Sequence, residues 1–184
     1  MADIAPISIT LDAFCKEGSE TTVDLMSQVI RKIVEVEGPV SYDVVSRRLC
    51  DACGIEKITA KVSARVEYFI KRTKVYITDS PWDQKFLYKD SAEVGVISET
   101  YRVGGDRTLA DVPMEELVAC AIHITSVQYG MPEENLAKEV ASAFGFKRAA
   151  VTSQNYKICA EAVKYALDNK YLVVDGNGRV ILVP

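Results

Sequence analysis

Apolar residues recur at three- and four-residue spacing through Val23, Met26, Ile30, Ile33 and Val34, so residues 22–37 predict an amphipathic helix. Gly38 and Pro39 end it, since Gly tolerates positive φ and Pro cannot continue a helix. Ser41 stands where an N-cap belongs, with Asp43 in the following turn. Val44, Val45, Leu49 and Cys53 then mark one face of a second helix over 42–53, which Gly54 stops. A third stripe of Ile58, Val62, Val66, Phe69 and Ile70 predicts a helix over 58–73. Val75-Tyr76-Ile77 and Phe86-Leu87-Tyr88 read as the two strands of a hairpin, with its tip at Asp79–Asp83. Three helices followed by a hairpin is the winged-helix order.

The same order recurs. Ala52–Lys57 (ACGIEK) aligns with Ala143–Arg148 (AFGFKR), Gly38 with Gly130, and Phe86-Leu87-Tyr88 with Val180-Ile181-Leu182, at an offset of 91 to 94 residues. The second copy predicts helices over 113–129, 132–144 and 152–170 and strands over 171–174 and 179–183, joined by the tight turn Asp175-Gly176-Asn177-Gly178. The expected fold is therefore α+β and mostly helical, with two tandem winged-helix domains, each a helix-turn-helix plus a β-hairpin wing. Their bounds are 22–90 and 113–184, with a lead-in over 1–21 and a linker over 91–112. In the lead-in, alternating Ile7, Ile9 and Leu11 predict a short strand, and in the linker Val94/Val96 and Tyr101/Val103 could pack as another. The lead-in reads as the end of something else, so a chain that is the tail of a longer protein is an expectation.

Charge narrows the function. The formal net charge is −4, against the usual balance of a strong DNA binder. Residues 22–90 nevertheless carry 12 Lys and Arg against 10 Asp and Glu, so the first unit alone is weakly basic. No apolar run is long enough for a membrane span, and the N-terminus has neither a basic n-region nor an apolar h-region. A cytoplasmic protein with no membrane partner is the expectation. There is no GxxxxGK[ST] phosphate loop, so ATPase chemistry is not expected from these residues.

Two stretches carry a family likeness. IVEVEGPVSYDVVSRRL and ADVPMEELVACAIHITSVQYGMPEENLAKEVASAFGFKR resemble the uncharacterised C-terminal domain of large bacterial proteins that carry a superfamily-one DNA helicase core and often an endonuclease-fold segment. The VEGP turn, the Val-Pro-x-Glu-Glu helix start and the Gly-Phe-Lys-Arg turn are its most specific parts, and together the likeness covers most of residues 25–184. It implies an accessory region working beside the helicase or nuclease domains of a parent protein. Any helicase or nuclease activity would lie in parts absent from this chain.

The third helix of the first unit supplies the leading candidates for nucleic-acid contact. Lys57, Lys61 and Arg65 stand at i, i+4 and i+8 and would line one edge, with Arg72 on the same helix. Arg47 and Arg48 on the second helix and Lys85 on the wing could reach a phosphate backbone. Trp82 at the wing tip could stack on a base, pack on a partner or fold back over the hairpin. In the second unit Lys157, Glu161, Lys164 and Asp168 alternate in sign, which predicts an exposed helix laced by i,i+4 ion pairs. Lys147 and Arg148, with Ser153 and Gln154, are its remaining contact candidates.

Catalysis and metal binding find little support. Cys50-x-x-Cys53 closes a helix, where a redox motif would open one, and His123 is the sole histidine. Cys120 shares a helical face with Leu117, Ile124 and Val127, which reads as core. A structural role is expected for His123, free buried thiols for the cysteines, and no catalytic residue, metal or cofactor. Glu115/Glu116 and Glu133/Glu134 sit in first turns, where helix dipoles favour them. The expected function is non-catalytic binding of nucleic acid, DNA ahead of RNA. The alternative is a protein-interaction or homodimerisation module.

Overall fold

A computed structural model describes residues 2–183. The fold is α+β and about half helical, with small antiparallel sheets. The chain divides into two units, one running up to Asp79 and including Lys85–Val94, the other formed by Ser80–Gln84 and the residues from Gly95 on. Among the described residues no helix is long and apolar enough to cross a membrane.

The first unit contains α1 (Leu11–Cys15), α2 (Glu20–Glu37), β1 (Val40–Ser41), α3 (Tyr42–Ala52), α4 (Ala60–Arg72), β2 (Tyr76–Asp79) and β3 (Lys85–Tyr88). Each long helix begins where a hydroxyl can satisfy an otherwise unpaired backbone donor. The Ser19 hydroxyl accepts from the Thr22 N–H, Ser41 from Val44 and Thr59 from Val62. The strands order as β1-β3-β2, all antiparallel, with Val40 opposite Leu87 and Ile77 opposite Leu87 on its other side. Met26, Ile30 and Ile33 of α2 pack with Val45 and Leu49 of α3, Val66 and Phe69 of α4, and Leu87 of β3 in one cluster.

Gly38 does not act through positive φ: its φ is −69° and its peptide bond to Pro39 is cis. Glycine is required there by space, because an added Cβ would stand 2.4 Å from the Val34 carbonyl oxygen. The strand expected at Ile7–Leu11 is absent. Residues 2–10 take no regular structure, and α1 follows because the Thr10 hydroxyl caps it and Phe14 buries completely against the ring of Phe69, at 5.2 Å and nearly perpendicular.

The second unit contains α5 (Met114–Gln128), α6 (Glu133–Ala143), α7 (Gln154–Asp168), β4 (Leu172–Val174) and β5 (Val180–Leu182). Leu117, Cys120, Leu136, Val140, Cys159 and Val163 are among its fully buried side chains. Met131, between α5 and α6, makes a single antiparallel bridge to Val180. It occupies the place that β1 takes between α2 and α3, so the order helix, edge residue, helix, helix, hairpin occurs in both units. The expected linker forms no strand. Its end is a 3-10 turn at Leu109–Asp111 whose Leu109 and Val112 are core residues of this unit.

Gly130 adopts φ +94° with no room for a side chain: a Cβ there would meet Ile181 Cγ2 at 2.5 Å. Ile58 lies before α4 and is exposed, and Val127, assigned to the buried face of α5, is exposed as well.

Candidate nucleic-acid interface

The outward face of α4 follows from its buried one. Val62, Val66, Phe69 and Ile70 point inward, which leaves Ala60, Lys61, Ala64, Glu67, Tyr68, Lys71 and Arg72 exposed. Lys61 carries no ion pair among the described residues. Lys57 is exposed too, but it precedes the Thr59 cap and lies outside the helix. The i, i+4, i+8 edge of Lys57, Lys61 and Arg65 therefore does not exist as one helical line.

Arg65 departs further from expectation. It is only 7% exposed, and its guanidinium is held within the protein. Nε donates to the Phe14 carbonyl oxygen at 3.2 Å and one Nη to the Lys16 carbonyl oxygen at 2.7 Å. The guanidinium carbon lies 4.6 Å from the Tyr68 ring centre and 4.7 Å from that of Phe69. The reason is α1, whose last turn covers the side of α4 on which Arg65 stands.

Arg72 remains exposed but engaged. Its guanidinium carbon lies 5.6 Å from the Tyr68 ring centre, and one Nη lies 3.7 Å from a Glu20 carboxylate oxygen. The Tyr68 hydroxyl, with its partial negative charge, pushes the Arg72 pKa up, and Glu20 adds to this. Lys71 pairs with Glu67 at 2.8 Å, which lowers the Glu67 pKa and raises that of Lys71. Arg47 and Arg48 are half-buried on α3, with Arg48 Nε 3.7 Å from a Glu37 carboxylate oxygen. Lys85 is exposed at the start of β3, near enough to Glu67 to help lower its pKa.

Trp82 is half-buried, and its ring packs against the core cluster of the second unit. Its indole N–H donates to the Ala110 carbonyl oxygen at 3.0 Å. Lys147 and Arg148 are exposed in the turn before α7. Lys157, Glu161, Lys164 and Asp168 are exposed on α7, yet none of the four ion-pairs with another among the described residues.

The paired acids of α5 do more than face a dipole. Glu115 and Glu116 are both 6% exposed. Glu115 accepts from the Gly95 N–H at 2.8 Å, and Glu116 accepts from the Arg102 N–H at 3.0 Å while ion-pairing with Arg102 and with Arg107 at 3.2 Å. Together they tie residues 95–107 to the start of α5. Arginines at 102 and 107 upstream of a Glu-Glu helix start are the only sequence signal, and spacing alone does not report such a pairing.

All five cysteines are free and buried. Burial pushes the Cys50 and Cys53 thiols up to about 11 and those of Cys120 and Cys159 up to about 12. A thiol held protonated is a poor metal ligand and a poor nucleophile. Among the described residues no group of three or more His, Cys, Asp or Glu side chains could hold a metal ion. His123 is exposed on α5, with the Tyr101 ring 5.9 Å away.

No curated protein and no solved structure matches the chain. Residues 18–64, from the start of α2 into α4 and short of half the chain, match the model of a family described as a protein of unknown function, DUF3320.

Proposed function

We propose that the chain is a pair of winged-helix units acting as a non-catalytic nucleic-acid-binding module, with DNA as its partner, and that it serves a helicase-type parent protein. The element order α2-β1-α3-α4-β2-β3 and the strand order β1-β3-β2 support the winged-helix reading of the first unit, and the bridge from Met131 to Val180 extends it to the second. In such a unit α4 is the helix that faces the nucleic acid.

The observation that carries the reading is the pair Lys57 and Lys61. Both are exposed where α4 begins, without ion pairs among the described residues. Ala60 and Ala64 beside them have side chains small enough for close approach of a phosphate backbone. Arg72, Lys85, Lys147 and Arg148 are exposed cations that can add contacts, each weakening with salt. Arg65 is tied to the Phe14 and Lys16 carbonyls and is not one of these surface cations, and Trp82 packs on the second unit's core. Fluorescence anisotropy of labelled single-stranded, duplex and forked DNA tests it, with a Lys57→Ala/Lys61→Ala variant for comparison. Salt-sensitive binding that the variant loses supports the module.

A docking module for a protein partner or a second copy is the competing reading. The net charge of −4 favours it, as do the exposed apolar residues Val174, Leu182 and Val183 and the 85% exposed Tyr129. Absence of DNA binding at low salt by the folded protein would favour it over the nucleic-acid reading.

A further inference from the structure

We propose that the groove between the Cys15–Gly18 turn and the outward face of α4 is a phosphate site, with Arg65 and Lys61 as its cationic groups. It deepens the nucleic-acid reading and rests on that reading only for the source of the phosphate. The groove encloses about 530 Å³, and Glu17, Gly18, Lys61, Ala64 and Arg65 are among the residues that line it.

Arg65 is buried, only 7% exposed. A charge this deeply buried is costly unless something compensates it. Its two carbonyl partners and two aromatic neighbours hold the guanidinium in place but bring no formal negative charge. Among the described residues no carboxylate forms an ion pair with it. The carbonyl bonds use Nε and one Nη, and the residue lines the groove with donors left over. A fixed guanidinium with spare donors at a groove wall is suited to an oxyanion.

Lys61 stands one turn earlier on α4 and lines the same groove. Two cations at i and i+4 repel each other, and an anion between them relieves the repulsion. Phosphate offers enough acceptor oxygens for a guanidinium and an ammonium together. Space is available: a Cβ added at Gly18 would meet nothing within 4 Å. Glu17 is the opposing charge in the lining, and it weakens rather than prevents anion entry.

The test is a nitrogen–proton NMR titration of the whole chain with sodium phosphate at constant ionic strength, with chloride as the control. The expected result is saturable movement of the amides of residues 16–18 and 61–68. The apparent affinity should fall about ten-fold in Lys61→Ala, the loss of one charge-assisted contact, and rise in Glu17→Gln. Both residues are exposed, so both variants keep the fold. Shifts that match the chloride control, or that Lys61→Ala leaves unchanged, overturn the proposal. Repeating the titration with a short single-stranded oligonucleotide identifies the source. Movement of the same amides supports a strand-borne phosphate, and movement with inorganic phosphate alone supports a free anion and counts against the nucleic-acid reading. Oligonucleotide binding that leaves these amides still, with no response to phosphate, sinks the groove site and spares the nucleic-acid reading.

Discussion

Arg65 Nε donates to the carbonyl oxygen of Phe14 at 3.2 Å, and this bond fastens α1 to the middle of α4. Arg65→Ala removes it together with the bond to Lys16, leaves two carbonyls short of a donor and uncovers the Phe14–Phe69 ring pair. The expected cost is about 3–6 kcal/mol, summing two hydrogen bonds to a charged group. Urea denaturation of Arg65→Ala and Lys61→Ala checks this, and the lysine variant should stay within about 0.5 kcal/mol of the parent because it is an exposed surface change. Equal losses in the two variants would contradict the structural role of Arg65.

Trp82 is the sole tryptophan, so intrinsic fluorescence reports on it alone. Its indole bond to Ala110 and its apolar packing predict blue-shifted emission that changes little when nucleic acid is added. Trp82→Ala should cost about 1–3 kcal/mol through lost packing and the orphaned carbonyl. Strong quenching by oligonucleotide would instead make the ring a stacking surface.

Gly130 and Gly145 both sit at positive φ, +94° and +97°, but their surroundings differ. Gly145→Ala meets open space and pays only the backbone penalty, about 1–2 kcal/mol. Gly130→Ala adds close contacts with Ile181 and the Val180 carbonyl, and thermal unfolding should show it as clearly the more damaging change. The reverse ranking would mean that β5 does not approach the end of α5 as closely as described.

The buried thiols predict both chemistry and a pH dependence. A thiol reagent at mildly alkaline pH should react slowly with the native protein and label all five cysteines once urea unfolds it. In the fold Cys50 and Cys53 titrate at about 11 and Cys120 and Cys159 at about 12, against an ordinary value of 9.0. Above pH 9 the unfolded chain loses these protons while the native protein keeps them, so the native state binds more protons and stability falls as pH rises. Urea midpoints measured between pH 8 and pH 10 should decline, and replacing Cys159 by Ala should flatten that decline.

Local physics made much of this fold legible. The three-to-four-residue stripe fixed the inward faces of α2 and α3, and Ser41 caps α3 as its position implies. The candidate site is less legible because its residues answer to distant segments. Lys57, Lys61 and Arg65 align only if the helix already runs at Lys57, and the Thr59 cap starts it later. Arg65 turns inward because of α1, five residues long and too short to leave a periodic signal. The burial of Glu115 and Glu116 depends on the path of residues 95–107, which carries no motif of its own. Ion pairs on α7 were expected from spacing alone, yet exposed side chains gain little by holding one geometry.

If exposed cations at the start of α4 bind nucleic-acid phosphates, affinity must fall steeply with salt. Anisotropy titrations of labelled DNA across a range of salt concentrations give the slope of log affinity against log salt, which reaches roughly −0.9 per duplex phosphate neutralised. The expected result is a steep negative slope in the parent that becomes shallower by roughly two contacts in Lys57→Ala/Lys61→Ala. No binding at low salt by the folded protein, or a slope that the double variant leaves unchanged, would contradict it.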